Sequence, residues 1–343
     1  MRPEELTPEY FTSILGLKIA QVTQTRIGDG LVGLNVRCRL TATDGSTRSV
    51  VAKLPSPDDT SRATALALGN YLREVRFYQE LAATVAIRTP ACFDAEWHPD
   101  TGDFVVILED MAPAVQGDQV AGCSIAQATL ALAELAKLHA SRWDDQSLYD
   151  VEWLQRRTAE SAPMLQAMYQ ALWPGFVERL GHNLTSSQLE LGEHLGSSMV
   201  TWVEQRQPPN AVTHGDYRLD NMLFGDDGVR PPVTVVDWQT PGHGPPVADA
   251  SYFIGAGPVI ADRRTHEREL LETYYRELIA RGATGFGFDD CWEQYRLFAF
   301  SGCVMSVIAS MIVGESARSR AMFGAMAERH FTHAEDVGSV SFL

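Results

Sequence analysis

The sequence predicts an α+β chain in two lobes: a small N-terminal lobe with an antiparallel β-sheet plus one helix, then a larger, mainly helical lobe. Three observations lead there. Strand-like alternation with a hairpin turn fills the first ~110 residues, helical periodicity dominates the remainder, and no repeat or low-complexity linker interrupts them.

The elements follow in order. Val36 to Thr43 alternates, Asp44-Gly45 supplies a hairpin turn, and Arg48 to Leu54 resumes the strand. Thr64 to Ala83 sets Leu68, Leu72, Val75, Tyr78 and Leu81 on one stripe, predicting the single helix of the small lobe. Phe104 to Leu108 is a short β-rich run behind the turn residues Pro99 to Gly102. Ser124 and Gln127 form a capping box, which opens a helix with Ile125, Ala128, Leu132, Leu135 and His139 at helical spacing. Further helices are expected around Tyr149–Leu180, Ser187–Arg206, Arg263–Arg281 and Asp289–Met311, with two short strands at Ala211–Thr213 and Val233–Val236. The lobes are expected to cover residues 1–110 and 111–343, with a connector near Glu109 to Ala114.

Composition narrows the function classes. Length allows two cores, and an apolar share of 45% with 21% charged residues is ordinary for a globular chain. With 44 acidic residues against 28 basic ones the formal charge is −16, so the concentrated basic surface that a nucleic-acid backbone requires is not expected. The five cysteines are scattered without a CxxC spacing, which disfavours a disulfide framework or a zinc site. Met1-Arg2-Pro3-Glu4-Glu5 begins no apolar h-region, so no secretory signal is expected. Leu297 to Gly314 is free of charge, yet it carries Ser301, Gly302, Ser306 and Ser310 and falls short of a spanning length, so a buried helix is expected. The expectation is a soluble, cytoplasmic protein with no membrane partner; composition leaves the oligomeric state open.

The most informative stretch is His214-Gly215-Asp216-Tyr217-Arg218-Leu219-Asp220-Asn221, followed after turn residues by Val235-Val236-Asp237-Trp238-Gln239. Phosphoryl transfer from ATP needs a carboxylate to orient the attacking hydroxyl and take its proton, oxygen ligands for Mg²⁺, and a cation on the α/β-phosphates. Asn221 follows Asp216 at the D-x-x-x-x-N spacing of a kinase catalytic loop, and Asp237 ends an apolar β-run. Hard oxygen ligands of this kind suit Mg²⁺.

HGDYRLDN with VVDWQ resembles the catalytic and metal-binding motifs of the aminoglycoside phosphotransferase and choline-kinase-like superfamily, which has a protein-kinase-like fold. The DWQ form looks closest to the ecdysteroid-kinase-like branch, also called CHK kinase-like. HGDYRLDN itself is also similar to kinase domains fused to some acyl-CoA dehydrogenases. The resemblance implies Asp216 as the catalytic base, Asn221 and Asp237 as magnesium ligands, and ATP as phosphoryl donor to a small-molecule hydroxyl. Gly244 to Ala250 resembles the GDPxxDLA element, in which Asp249 would buttress the catalytic loop by hydrogen bonding.

On the nucleotide side, Val50-Val51-Ala52-Lys53 resembles the strand that presents a lysine to the phosphates, and Glu74 resembles the helix glutamate that pairs with it. Gly28-Asp29-Gly30-Leu31-Val32-Gly33 matches GxGxxG, with Gly30 its central candidate, although Asn35 stands where a valine is expected. The backbone around Glu109 and Met111 lies where the superfamily binds adenine.

Bland readings are preferred elsewhere. His139 is expected to be a satisfied core histidine, Asp118 a surface-loop residue, and Trp173, Trp202 and Trp292 packing residues. Glu267, Glu269, Glu272 and Glu277 are expected to form a solvated helix face. Possible acceptors are an aminoglycoside or amino alcohol, a steroid-like alcohol, or a hydroxyacyl compound. The rival class is a nucleotide-binding pseudokinase acting as scaffold or sensor, which would lack one of these residues. A hydrolase lacks a GxSxG nucleophile motif.

Overall fold

The computed structural model describes residues 1–28, 32–156, 158–225, 228 and 230–343. Its N-terminal part contains helix α1 (Pro8–Leu15) and five strands: β1 (Ile19–Ile27), β2 (Gly33–Ala42), β3 (Thr47–Pro55), β4 (Cys92–His98) and β5 (Asp103–Glu109). They form one antiparallel sheet in the order β1-β2-β3-β5-β4.

Strand β5 shows why its sequence lacks alternation. Val105 and Ile107 point into a core with Phe11 of α1, Val36, Cys38, Val50 and Ala52. Phe104, Val106 and Leu108 point the other way, against Tyr71, Val75 and Phe77, in a cluster that runs on into the C-terminal part. A strand covered on both faces is apolar at every position. One face of the small sheet therefore shares its core with the helical part.

The helix expected over Thr64–Ala83 is divided. Helix α2 (Asp59–Ala67) stops at Leu68, Gly69 takes a left-handed φ of 68°, and α3 (Asn70–Arg76) then begins. A π turn over Phe77–Leu81 and a short 3₁₀ turn complete the segment. Gly69 tolerates the positive φ that breaks the run, and the break leaves Leu68 exposed rather than on the core stripe. With α1, this gives the small lobe three helices in place of the single one expected.

The C-terminal part holds β6 (Val115–Gln116), α4 (Ile125–Ser141), α5 (Ala162–Leu180), α6 (Ser186–Glu204), β7 (Ala211–Thr213), β8 (Met222–Phe224), β9 (Val233–Val235), β10 (Gly242–Gly244), α7 (Val247–Ala256), α8 (Ile260–Ala280), α9 (Phe288–Ile312) and α10 (Ala317–Asp336). The predicted capping box opens α4: the Gln127 N–H donates to Ser124 Oγ at 3.2 Å and the Ser124 N–H to Gln127 Oε1 at 3.1 Å. Helix α5 begins well after the expected Tyr149, with Pro163 in its first turn, where the missing N–H costs nothing. Helices α4 and α8 pair, and α9 packs against α5, α7 and α10. Helix α9 is long and apolar enough to cross a membrane, and 61% of its most apolar window is buried inside the protein.

Two short sheets position the loops. β7 pairs with β10, and β8 lies between β6 and β9. Because β8 and β9 are antiparallel with Met222 opposite Val235, the segment His214–Asn221 that enters β8 and the segment Val236–Gln239 that follows β9 lie at the same end of that pair.

Candidate active site

Strand β3 presents Lys53 and α3 presents Glu74 across the small lobe. Both are buried, and Lys53 Nζ donates to Glu74 Oε1 at 2.5 Å. The same ammonium reaches Asp237 Oδ1 at 3.1 Å, from the loop after β9. Burial alone would depress the Lys53 ammonium, but the Asp237 and Glu74 carboxylates outweigh it and hold its pKa above the ordinary value. Gln239, two residues beyond Asp237, donates to the other Glu74 oxygen at 3.2 Å. Four side chains from both lobes thus meet at one point.

Asp237 adopts a left-handed φ of 68°, rare for a residue with a side chain. The turn sends Trp238 inward, where it stacks on Phe77 with centroids 3.8 Å apart and rings 2° from parallel. Both rings are fully buried. The stack ties the end of α3 to the Asp237 loop and so fixes the distance that Lys53 must span.

The catalytic-loop candidates sit beside it. The Val236 N–H donates to Asn221 O at 2.9 Å, joining the two loops. Asn221 Nδ2 donates to Asp216 Oδ2 and to Asp216 O, each at 2.9 Å, and Arg218 Nε donates to Oδ2 at 2.9 Å. Tyr252 OH donates to Oδ1 at 3.0 Å. Burial works to raise the Asp216 pKa, but the Arg218 guanidinium prevails and holds the carboxyl below the usual range. Burial and the Asp216 charge push the Tyr252 hydroxyl up, so it remains a donor.

The backbone of this loop is locked from behind. Asp249 of α7 accepts from the N–H groups of His214 at 2.6 Å and Gly215 at 3.1 Å, the buttressing contact that its position in GPPVADA implies. His214 Nδ1 accepts from the Asp216 N–H at 3.3 Å, which leaves Nε2 to donate to Val236 O at 3.1 Å. Gly215 has φ +79°, and a Cβ there would lie 2.3 Å from Thr240 O, so only glycine fits.

Of the sequence-predicted residues, Lys53, Glu74 and Asp237 are in contact, as are Asp216 and Asn221, and the loops bearing Asn221 and Asp237 share a backbone bond. Gly30 lies outside the described residues. Next to it, Val32 O accepts from Tyr71 OH at 2.7 Å. Asn35, which replaces the expected valine, pairs directly with Lys53 across β2 and β3, and its buried Oδ1 makes no hydrogen bond among the described residues. In the connector the Glu109 N–H is spent on Ala91 O at 2.8 Å, the Glu109 carboxylate pairs with Arg88 and Arg230, and Met111 O accepts from the Ala114 N–H.

Gln239, Arg218 and Tyr252 were assigned no role from the sequence. Gln239 and Arg218 lie inside the motifs, so proximity to Asp237 and Asp216 is the signal that could have flagged them. Tyr252 follows Asp249 by one turn of helix, which places both on the catalytic-loop side of α7. Among the discounted residues, His139 is buried and bonded through Nδ1 to Tyr274 OH at 2.7 Å. Asp118 is half exposed and pairs with Arg318 at 2.8 Å. Glu267 departs from the solvated face expected of it. Its side chain is 17% exposed and binds the fully buried Arg263, because α8 turns that side toward α9 and α10.

Comparison with known proteins places the chain. The profile of the ecdysteroid kinase-like family matches residues 29–283, a span that includes both loops and Lys53 with Glu74. The chain belongs to that family. This ecdysteroid kinase-like protein is also 28% identical over 152 residues to the chicken (Gallus gallus) protein named acyl-CoA dehydrogenase family member 11. The match takes in 38% of this chain and 19% of that longer protein. Among solved structures, choline kinase from Cryptosporidium parvum superposes with a TM-score of 0.56 at 9% identity, covering 92% of this chain and 89% of that one. The GDP complex of wild-type aminoglycoside 2'-phosphotransferase-IIIa gives 0.55 at 14% identity, covering 96% of each chain. These two likenesses show a shared kinase-like fold.

Proposed function

We propose that this protein transfers the γ-phosphoryl group of ATP to a hydroxyl group of a small molecule, with magnesium and without a covalent enzyme intermediate. The observation that carries the reading is the meeting of Lys53 and Asp237 at 3.1 Å across the two lobes, beside a loop in which Asp216 and Asn221 are bonded to each other. In phosphoryl transfer the protein contributes positioning and charge rather than covalent chemistry. Lys53, held forward by Glu74, neutralises phosphate oxygens. Asp216, kept ionised beside Arg218, orients the acceptor hydroxyl and takes its proton. The Met111 N–H, bonded to nothing among the described residues, is the donor we assign to the nucleotide base.

The donor set suits magnesium. Asn221 spends its amide nitrogen on Asp216, which leaves its amide oxygen, and Asp237 contributes a carboxylate; both are hard oxygen ligands. A bound magnesium ion would neutralise phosphate charge there.

The acceptor classes are an aminoglycoside or amino alcohol, a steroid-like alcohol, and a hydroxyacyl compound. The family name supports the second and the chicken relative's name supports the third, so both belong in the test beside amino alcohols. The experiment is ATP turnover against a panel of these three classes. Acceptor-dependent ADP release from the wild-type protein, lost in Asp216→Ala, is the expected result. Nucleotide binding with no turnover on any acceptor would assign the chain to the scaffold class instead.

A further inference from the structure

A carboxylate offers about four lone-pair positions. On Asp216, Oδ2 receives two donors, Arg218 Nε and Asn221 Nδ2, each at 2.9 Å. Oδ1 receives one, the Tyr252 hydroxyl at 3.0 Å. A single position on Oδ1 is left to accept a proton, and Tyr252 determines which way it faces. With donors on both oxygens, the carboxylate cannot rotate about its Cβ–Cγ bond without breaking bonds on both sides.

The position of Tyr252 is itself set from outside the catalytic loop. Its ring, on α7, stacks on His330 of α10 with centroids 5.0 Å apart and planes 15° from parallel. His330 is fully buried, and neither ring nitrogen makes a hydrogen bond among the described residues. It therefore contributes a flat face rather than a polar contact. Helix α9 comes close because residue 302 is glycine: a Cβ there would lie 1.9 Å from His330 Nδ1. Gly255 of α7 also approaches, its Cβ position being 3.0 Å from the same atom and 2.6 Å from His333 Nδ1. Three helices converge on one imidazole, one ring behind the carboxylate.

We propose that Tyr252 is the positioning residue that aims the free lone pair of Asp216 at the acceptor hydroxyl, and that His330 and Gly302 form the seat that holds it. The proposal rests on Asp216 acting as the base. A small error in the direction of a base costs rate far more than it costs ground-state binding.

The test compares Tyr252→Phe, His330→Ala, Gly302→Ala and Asp216→Asn in MgATP turnover, with the first alcohol of the panel that supports turnover as acceptor, or water where none does. Tyr252→Phe keeps the stacked ring and removes the donor; kcat is expected to fall about tenfold with KM for ATP held within about twofold. His330→Ala removes the flat face, and a folded variant is expected to lose kcat with KM for ATP held, as Tyr252→Phe does; wild-type kcat in it would overturn the seat. Gly302→Ala forces the imidazole aside, and a folded variant is expected to match Tyr252→Phe in kcat. If Asp216→Asn turns over at the wild-type rate, the base assignment itself fails and the proposal falls with it. If Asp216→Asn is slowed about 100-fold or more while Tyr252→Phe is not, the base stands and the positioning role is overturned. A Tyr252→Phe effect seen in KM alone overturns it too.

Discussion

Asp216 and Asp237 lie in adjacent loops and are held in opposite ways. Asp216 receives three side-chain donors from its own lobe, and its loop backbone is pinned by Asp249. Asp237 has one side-chain partner among the described residues, Lys53, which belongs to the other lobe and is shared with Glu74. The difference separates two tasks. A group that must point at one hydrogen is fixed before substrate arrives, which lowers the reorganisation needed at the moment of reaction. A group that must exchange partners, from lysine to phosphate and metal, is left with one partner it can release.

The comparison can be broken at several points. The largest expected effect is on the fixed side: Asp216→Ala should lower kcat by about 10²- to 10⁴-fold in steady-state ATP turnover. The variant should still unfold cooperatively, though at a lower melting temperature, since Arg218, Asn221 and Tyr252 lose their acceptor. On the exchanging side, Trp238→Ala removes the stack on Phe77 and should cost about 4 kcal/mol of stability in urea unfolding. A loss below about 1 kcal/mol would show that the loop is held by something else. Lys53→Met leaves Glu74 buried with only Gln239 as donor. It should destabilise by about 3 kcal/mol and remove the thermal shift that MgATP gives the wild type.

The smallest effect concerns the helices behind Asp216. Burial holds the His330 pKa down at about 3, and that of His333 well below its ordinary value. In the unfolded chain each would titrate near about 6.5. The unfolded state therefore binds more protons below that pH, so stability is full above it and falls as pH drops toward the folded value. Each group should contribute about 1.4 kcal/mol per pH unit within that window. Urea unfolding from pH 7 to pH 5 should show this, and His330→Phe should reduce the slope by one group's share.

Much of this was legible in the sequence where the signal was local. Asp216 and Asn221 share one short loop, and the order Lys53, Glu74, Asp216, Asp237 reads as one site through the resemblance of their motifs to kinase motifs, each on the strand, helix or loop that the local pattern predicts. The capping box at Ser124 and Gln127 opens α4 as its residues imply. What escaped was non-local or masked by a competing pattern. The apolar stripe through Leu68 suggested one continuous helix, while the conformational freedom of Gly69 divided it. Helix α10 and strand β4 went unread, and with α10 went the ring behind Tyr252: His330 lies 78 positions from Tyr252 (330 − 252), and only the packing of α7, α9 and α10 brings them together. Glu267 looked solvated because its partner Arg263 is buried, which charge patterning cannot disclose.

The most direct test is a crystal structure with magnesium and a non-hydrolysable ATP analogue. The account predicts the triphosphate between the lobes, with Lys53 on its phosphate oxygens, a metal ion held by Asn221 and Asp237, and Asp216 facing the γ-phosphate with its three donors unchanged. A nucleotide bound elsewhere, or one in the cleft that touches neither Lys53 nor a metal on Asn221 and Asp237, would contradict it.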